Sequence, residues 1–405
     1  MRNLKGYILS IVFSLLAVLP AAAIEDTVDA DSVTLDSLSI SIITCTPGKD
    51  LYAKFGHTAI RVVDYTIGED AAFNYGCFNY NSDNFIYKFL LGQTDYLLEC
   101  EDFDYMKYRY TLMGNGMTEQ KLNLTQEEAN ALLRLLVINL QPENQQYRYN
   151  WLYDNCTERA RNVIEKAVNG KIEYRRKPTD VTVRQMLRGC LKDTRWAEFG
   201  IDMILGQEID MPVDKRIQMF IPDFYRAEAD EAVIVREDGE KVPLIEGENV
   251  ILEERNVFEE TNYFLSPMFF SCMLALVSAL IFVTYEIRKK KSLVAFDVIL
   301  HTAQGLSGIL IAFLFFFSEH SAVDSNWLVF IINPLPLLYA GWLVYCSVKK
   351  RRNPLAYVNL AVLAAFIVIM MVCQQSFNPA MYMVVLSLLI RAVSQAYLEK
   401  LRIKS

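Results

Sequence analysis

Histidine is scarce in this chain. Its 405 residues hold three, and His57 is the only one outside the hydrophobic C-terminal third and its short loops. The eight cysteines include no CxxC pair, so neither residue type has the spacing of a metal centre, and no metal or cofactor is expected. An excess of basic charge is missing too. A net charge of −8 leaves no electrostatic footprint for nucleic acid. Apolar residues, in contrast, make up 53% of the chain and are unevenly spread, which excludes a single soluble domain.

The first 24 residues carry Arg2 and Lys5, then an apolar run, then Ala21-Ala22-Ala23. This is the layout of a secretory signal peptide, with an uncleaved anchor as the alternative. Five apolar stretches follow Asn262, near 263–285, 293–317, 327–347, 355–373 and 380–397, each of bilayer-spanning length. Basic clusters follow the first, third and fifth stretches, whereas the loops SEHSAVDSN and QQSFNPA carry no Lys or Arg. The positive-inside rule then places the basic loops and the tail 398–405 in the cytoplasm and the region 25–262 outside. Arg391 falls inside the fifth stretch, so that span is expected to end early or to snorkel the charge outward. Asp297, His301 and Gln304 share one face of the second, where helix–helix hydrogen bonding is expected, and Pro334 and Pro336 are expected to kink the third.

The exported region reads as residues 25–227 plus an acidic juxtamembrane linker, 228–262. Between Glu228 and Glu260 there are twelve Asp or Glu against three Lys or Arg, with a small hairpin expected around Asp238-Gly239. SLSISIITCT, HTAIRVVDY and AAFNYGCFNY alternate as strands. Thr125-Gln126-Glu127-Glu128 is a capping box that opens a helix to about Leu140, another helix is expected near Val181–Leu191, and the stretch from Gly200 to Tyr225 reads as loop and short turns. Five cysteines lie in this region, an odd number that suggests one functional free thiol and up to two disulfides, or four plain buried thiols.

One of the five has an informative setting. Asp154 and Asn155 are good N-caps, and Ala160, Val163, Ile164, Ala167 and Val168 recur at helical spacing until Asn169-Gly170 stops the pattern. Cys156 therefore sits in the first turn of a helix, whose partial positive charge favours a thiolate. A base is needed to complete a nucleophile, and His57, on the HTAIRVVDY strand, is the one exported histidine.

A histidine on a strand in GHTAIRV, with NCTE at a helix start about a hundred residues later, resembles the permuted papain-like fold, which includes the lecithin:retinol acyltransferase-like enzymes. More closely, KFGHTAIRV, FNYGCFNYNSDNF, YDNCTERARNVIE, GLSGILIAFLFFFSEHSAV and NPLPL resemble the Lnb family over nearly the whole chain. The resemblance implies an α+β permuted papain-like (NlpC/P60, LRAT-like) domain followed by an all-α five-helix transmembrane domain, 263–397. It also implies a location in the bacterial inner membrane with the catalytic domain in the periplasm. The implied activity is lipoprotein N-acylation, in which a membrane phospholipid donates an acyl chain through a Cys156 thioester to the α-amino group of a diacylated lipoprotein.

In such a site His57 is the general base, and a third polar group orients it; Asn74, on the next strand, is the candidate. The oxyanion candidates are the Cys156 backbone N–H with the side chain of Asn155 or Tyr153. Arg61 alternates to the face of His57 and is a candidate for phosphate or carboxylate, with a surface salt bridge as its structural alternative. His320 and Asn326, in an external loop, are candidates for the lipid site. A phospholipase or an NlpC/P60-like peptidase on the same dyad is the competing enzymatic reading, and a non-catalytic envelope scaffold is the third. A peptidase has no need of five membrane helices.

Overall fold

The computed structural model describes residues 37–176, 180–256 and 262–404. The expected signal peptide, 1–24, lies outside them. The described chain divides into two compact units. One runs to Asp180 and resumes at Val213; the other combines Val181–Pro212 with the helices from Tyr263 onward.

The first unit is built on an antiparallel sheet of seven strands: β1 (Leu38–Cys45), β2 (His57–Asp64), β3 (Glu69–Cys77), β4 (Asp95–Asp102), β5 (Met117–Leu122), β6 (Gln146–Arg148) and β10 (Ile245–Leu252). Their spatial order is β10-β5-β1-β2-β3-β4-β6. Alternation along the strands sorts the side chains between two faces. Ile40 and Ile42 of β1, Ile60 of β2, Phe73 and Tyr75 of β3 and Leu98 of β4 form one core. Two helices cover that core: α3 (Gln126–Leu140) with Leu132 and Leu136, and α4 (Cys156–Ala167) with Ala160, Val163 and Ile164. Ile43, Cys45, Ala59 and Ala72 face the other way, against Phe103 and Met106 of α2 (Phe103–Met113). A short helix, α1 (Phe85–Leu90), lies between β3 and β4.

The capping box of α3 forms as expected, with Thr125 accepting from Glu128 N–H. The expected hairpin also forms, β8 (Val233–Val235) pairing with β9 (Lys241–Pro243) and, on its other side, with β7 (Lys171–Glu173). Two expectations need correction. The acidic stretch is not a linker, because β10 pairs along β5 as the edge of the main sheet. Its solvated, charge-rich sequence suits an edge strand, which must discourage pairing with other chains. The Gly200–Tyr225 stretch is also more regular than loop, since it ends α6 (Arg195–Ile204) and opens α7 (Pro222–Glu231).

The second unit has five helices long and apolar enough to cross a membrane: Pro267–Ile287, Val294–Phe317, Trp327–Val348, Leu355–Val372 and Pro379–Ile403. We label their regular α-helical parts α8 (Pro267–Ile281), α9 (Val294–Phe317), α10 (Leu335–Val348), α11 (Leu355–Val372) and α12 (Pro379–Lys404). The fifth runs past Arg391 instead of ending early, and Arg391 does not snorkel. It is fully buried, its guanidinium gripping Asp297 of α9 at 2.6 and 3.0 Å and Glu286 at 2.6 and 3.1 Å. Glu286 lies on a π-helical turn, Phe282–Ile287, that continues α8.

Pro334 and Pro336 start a helix instead of kinking one. The third span opens with a 3₁₀ turn, Trp327–Phe330, and α10 begins only at Leu335. Backbone freed inside a membrane must find partners. Gln304 of α9 supplies one, donating to Ile331 O at 2.7 Å, and Asn333 accepts from Leu335 N–H at 3.0 Å. Gly308 lets the break approach closely, since a Cβ there would lie 2.3 Å from the Asn333 carbonyl carbon.

Val181–Pro212, assigned by sequence to the 25–227 domain, packs within this helical unit. Arg184 of α5 (Val183–Cys190) is buried and bonds Asp210 at 2.9 Å, Asp202 at 3.0 Å and the Gly206 carbonyl at 2.7 Å. Gly206 N–H in turn donates to Ala322 O at 2.6 Å, and the Asn326 amide donates to Met203 O at 2.7 Å.

Candidate active site

Helix α4 begins at Cys156 because Asn155 caps it, its side-chain oxygen accepting from Thr157 N–H at 2.9 Å and Glu158 N–H at 3.0 Å. The Asn155 amide nitrogen donates to Trp151 O and Phe220 O, both at 2.9 Å. All of its capacity is thus committed to holding the helix start, which removes its side chain as an oxyanion donor. Asp154 instead forms a two-pronged pair with Arg159 at 2.5 and 2.6 Å. A 3.1 Å hydroxyl contact between Thr157 and Thr58 ties the helix start to β2, one residue past His57.

Cys156 approaches the sheet from one face, and His57 lies at the strand end on the other. Next to Cys156, β3 carries a bulge, where the register shifts between Tyr75 and Cys77. Gly76 occupies the bulge at φ 85°, and a Cβ there would meet the Cys156 Cβ at 3.5 Å. A side chain at this position is therefore strained by the backbone conformation and in contact with the Cys156 side chain.

The His57 imidazole lies close enough to the Cys156 thiol for each to shift the other's ionisation, and its Nε2 faces Asn74 Oδ1 at 2.9 Å. Asn74 is held in turn. Its amide nitrogen donates to Glu101 of β4 at 3.1 Å, and Glu101 accepts from Arg109 of α2 at 2.5 Å. The anionic end fixes which way the Asn74 amide points and so presents the amide oxygen to the imidazole. With Asn74 accepting at Nε2–H, Nδ1 is the ring nitrogen left to exchange a proton with the thiol.

Electrostatics agree with the geometry. Burial opposes ionisation of Cys156, but the His57 charge, a hydrogen bond from His57, the Thr58 backbone N–H and the Thr157 hydroxyl outweigh it and hold the thiol below its ordinary range. Burial likewise opposes charge on His57, and Cys156 and Asn74 outweigh it, so the imidazole is raised. Burial pushes Cys45, Cys77 and Cys100 up instead, Cys100 to about 12. All eight cysteines are free thiols, so of the two alternatives for the other exported cysteines it is the plain thiols that the structure has. Cys156 as a residue is half-buried.

The structure thus brings Cys156, His57 and Asn74 together. Arg61 is committed elsewhere: it pairs with Asp70 at 2.6 and 2.8 Å and Glu119 at 2.9 Å, and its guanidinium lies 3.9 Å from the Phe103 ring centre. The salt-bridge reading of Arg61 is the one that holds. Tyr153 is exposed, and its backbone N–H donates to Asn150 at 3.1 Å. His320 and Asn326 belong to the helical unit, and Asn326 is spent on Met203, Leu328 and Gln375. Among the described residues, no group of three or more His, Cys, Asp or Glu could hold a metal ion.

Residues 25–189 match the Lnb N-terminal periplasmic domain, and residues 259–402 match the Lnb transmembrane domain. The chain belongs to the Lnb family. It is a multi-pass membrane protein with a periplasmic domain, and its α+β domain followed by five apolar helices is the architecture expected from sequence. No curated protein and no solved structure matches it.

Glu101 and Arg109 of this Lnb chain escaped the sequence reading. The signal was faint: Tyr96, Leu98 and Cys100 alternate inward on β4, which turns Glu101 to the opposite face, diagonal to Asn74. A testable consequence concerns pH. The lowering of the thiol and the raising of the imidazole both favour a thiolate–imidazolium pair, so a reaction that needs both charges falls in acid as the thiolate is protonated and in alkali as the imidazolium is lost. Arg109 opposes the His57 charge. Glu101→Gln leaves Arg109 unneutralised, so the alkaline limb of the pH–rate profile moves to lower pH. The rate falls by less than the roughly 10²–10⁴ that a positioned acid–base supplies. An unmoved limb in Glu101→Gln assigns Glu101 to structure alone.

Proposed function

We propose that the protein is a thiol acyltransferase of the inner membrane that N-acylates diacylglyceryl-cysteine lipoproteins from a phospholipid donor. The line Cys156–His57–Asn74 at a helix N-terminus, in a chain with both Lnb domains, carries this reading. The Cys156 thiolate attacks the ester carbonyl of the phospholipid. A C–S bond forms, the C–O bond breaks, and the lysophospholipid leaves with the proton of the His57 imidazolium. The α-amino group of the lipoprotein cysteine then attacks the thioester. A C–N bond forms, the C–S bond breaks, His57 takes the amine proton, and the thiolate returns. The Cys156 backbone N–H, at the first helical position and so without an intrahelical acceptor, is the oxyanion donor.

Attachment to five membrane helices suits such substrates. Lifting an acyl chain into water costs about 0.8 kcal/mol per CH₂, which a membrane-bound enzyme avoids. The test is the mass of a lipoprotein N-terminal lipopeptide from cells carrying the protein or its Cys156→Ser form. A triacylated species that reverts to the diacylated form with Cys156→Ser supports the reading. Identical lipopeptides reject it, and lysophospholipid release without N-acylation points instead to a hydrolase.

A further inference from the structure

Beside the thiol begins an uninterrupted series of aromatic rings that the chemistry above does not use. Tyr149 is the first: its ring edge lies 3.9 Å from the point where a Gly76 Cβ would sit, against Cys156. Tyr149 stacks on Tyr96 with centroids 4.0 Å apart, and Tyr96 meets Phe78 at 4.9 Å. Phe78 stacks on Phe85 at 5.8 Å, and Phe85 on Phe89 at 6.2 Å, both on α1. Phe78 also meets Tyr52 edge-on at 5.8 Å.

Tyr149, Phe78 and Cys156 are half-buried and each packs against the core that holds the buried Tyr96, while Tyr52, Ile86 and Phe89 are 56%, 76% and 46% exposed. Large apolar side chains gathered on one short helix, with none of α1 buried, form a patch of the kind that marks a binding surface. From Phe85 to Leu90 the helix sequence FIYKFL carries one charge, Lys88. Such a face, one charge among five apolar or aromatic side chains, suits hydrocarbon.

We propose that this aromatic face is the acyl-chain subsite, receiving the hydrocarbon of the fatty acyl group that Cys156 carries; the proposal rests on the acyl-transfer reading. Two observations select this occupant over a protein partner. Cys156 and Tyr149 both border the Gly76 bulge, so a chain bonded to Cys156 starts beside the first ring of the series. The chain's own membrane helices also keep the protein where long acyl chains are the abundant apolar ligand. A short acyl group reaches only the first rings, whereas a long one continues over α1. Hydrocarbon contact therefore favours long chains.

The experiment uses the full-length protein in detergent and two water-dispersed esters, p-nitrophenyl butyrate and p-nitrophenyl dodecanoate. The readouts are nitrophenolate release and acyl mass on Cys156. In this probe the thiolate takes the acyl group, the C–O bond breaks and nitrophenolate departs. The wild type favours dodecanoate. In Ile86→Asn and Phe89→Asn, both exposed and so free of core packing, the dodecanoate-to-butyrate ratio falls about tenfold, as expected for the loss of contact with a few methylenes. Phe89→Leu restores most of it. A ratio that stays at the wild-type value while Cys156 is still acylated overturns the subsite and leaves the acyl-transfer reading standing. The same holds for an unchanged ratio with lost transfer to a lipopeptide amine, which reassigns the face to the acceptor. Absence of acyl-Cys156 from either ester in the wild type rejects both proposals together.

Discussion

On the proposed function, Cys156→Ala and His57→Ala are each expected to lower lipoprotein N-acylation by roughly 10³-fold or more, with the double variant scarcely worse than either single one. The two side chains are coupled: against the burial that opposes charge on both, His57 lowers the thiol and Cys156 raises the imidazole. Removing either partner leaves a group that cannot act alone, and groups that act as a unit lose function non-additively. Initial rates of transfer from phospholipid to a synthetic diacylated lipopeptide measure the effect. Asn74→Ala is milder because it leaves thiol and imidazole in place while freeing the ring that Asn74 Oδ1 holds at 2.9 Å. A His57→Ala protein with rates within tenfold of the wild type removes the imidazole from the mechanism.

The largest expected loss of stability lies in the helical unit. Arg391 is fully buried and holds two fully buried carboxylates, Glu286 and Asp297, with four hydrogen bonds between 2.6 and 3.1 Å. Ser394 and Gln395 complete the cluster, bonding Glu286 and Asp297 respectively. Taking away the guanidinium strands two carboxylates in a low-dielectric interior, and removing one partner from a buried pair costs about 3–5 kcal/mol. Arg391→Met is therefore expected to lower the thermal midpoint of the detergent-solubilised protein sharply. Combining it with Glu286→Gln and Asp297→Asn recovers much of the loss, because no unpaired charge remains. A single variant that melts with the wild type shows that the cluster does not hold the helices together.

The contrast between these two clusters explains what could be read from the chain. Cys156 was legible because its signals are local: an N-cap, a helical period and a Gly stop lie within fifteen residues of it. His57 stood out through rarity, and Asn74 through its place on the following strand. The five spans were legible because bilayer thickness sets their length and composition. Arg391 was visible as an anomaly, but its partners lie 94 and 105 positions away in the chain, so its burial could not be inferred.

The same limit hid Glu101 and Arg109, whose roles exist only once β3, β4 and α2 are assembled. It also hid β10, since an acidic, exposed edge strand has the composition of a linker until its partner β5 is known. Asn155 shows the converse. The sequence marked it both as a cap and as an oxyanion candidate, and its two caps and two carbonyl partners leave room for one role only.

The central claim is that an acyl group rests on Cys156 between donor and acceptor. The most direct measurement incubates the full-length protein with phospholipid in the absence of acceptor, quenches in acid and locates added acyl mass by peptide mass spectrometry. The expected result is a fatty acyl group on the peptide carrying Cys156, released by hydroxylamine and discharged as an N-acylated product when a diacylated lipopeptide is added. Transfer to the lipopeptide with Cys156 unmodified throughout, or with the acyl group on a different residue, contradicts it.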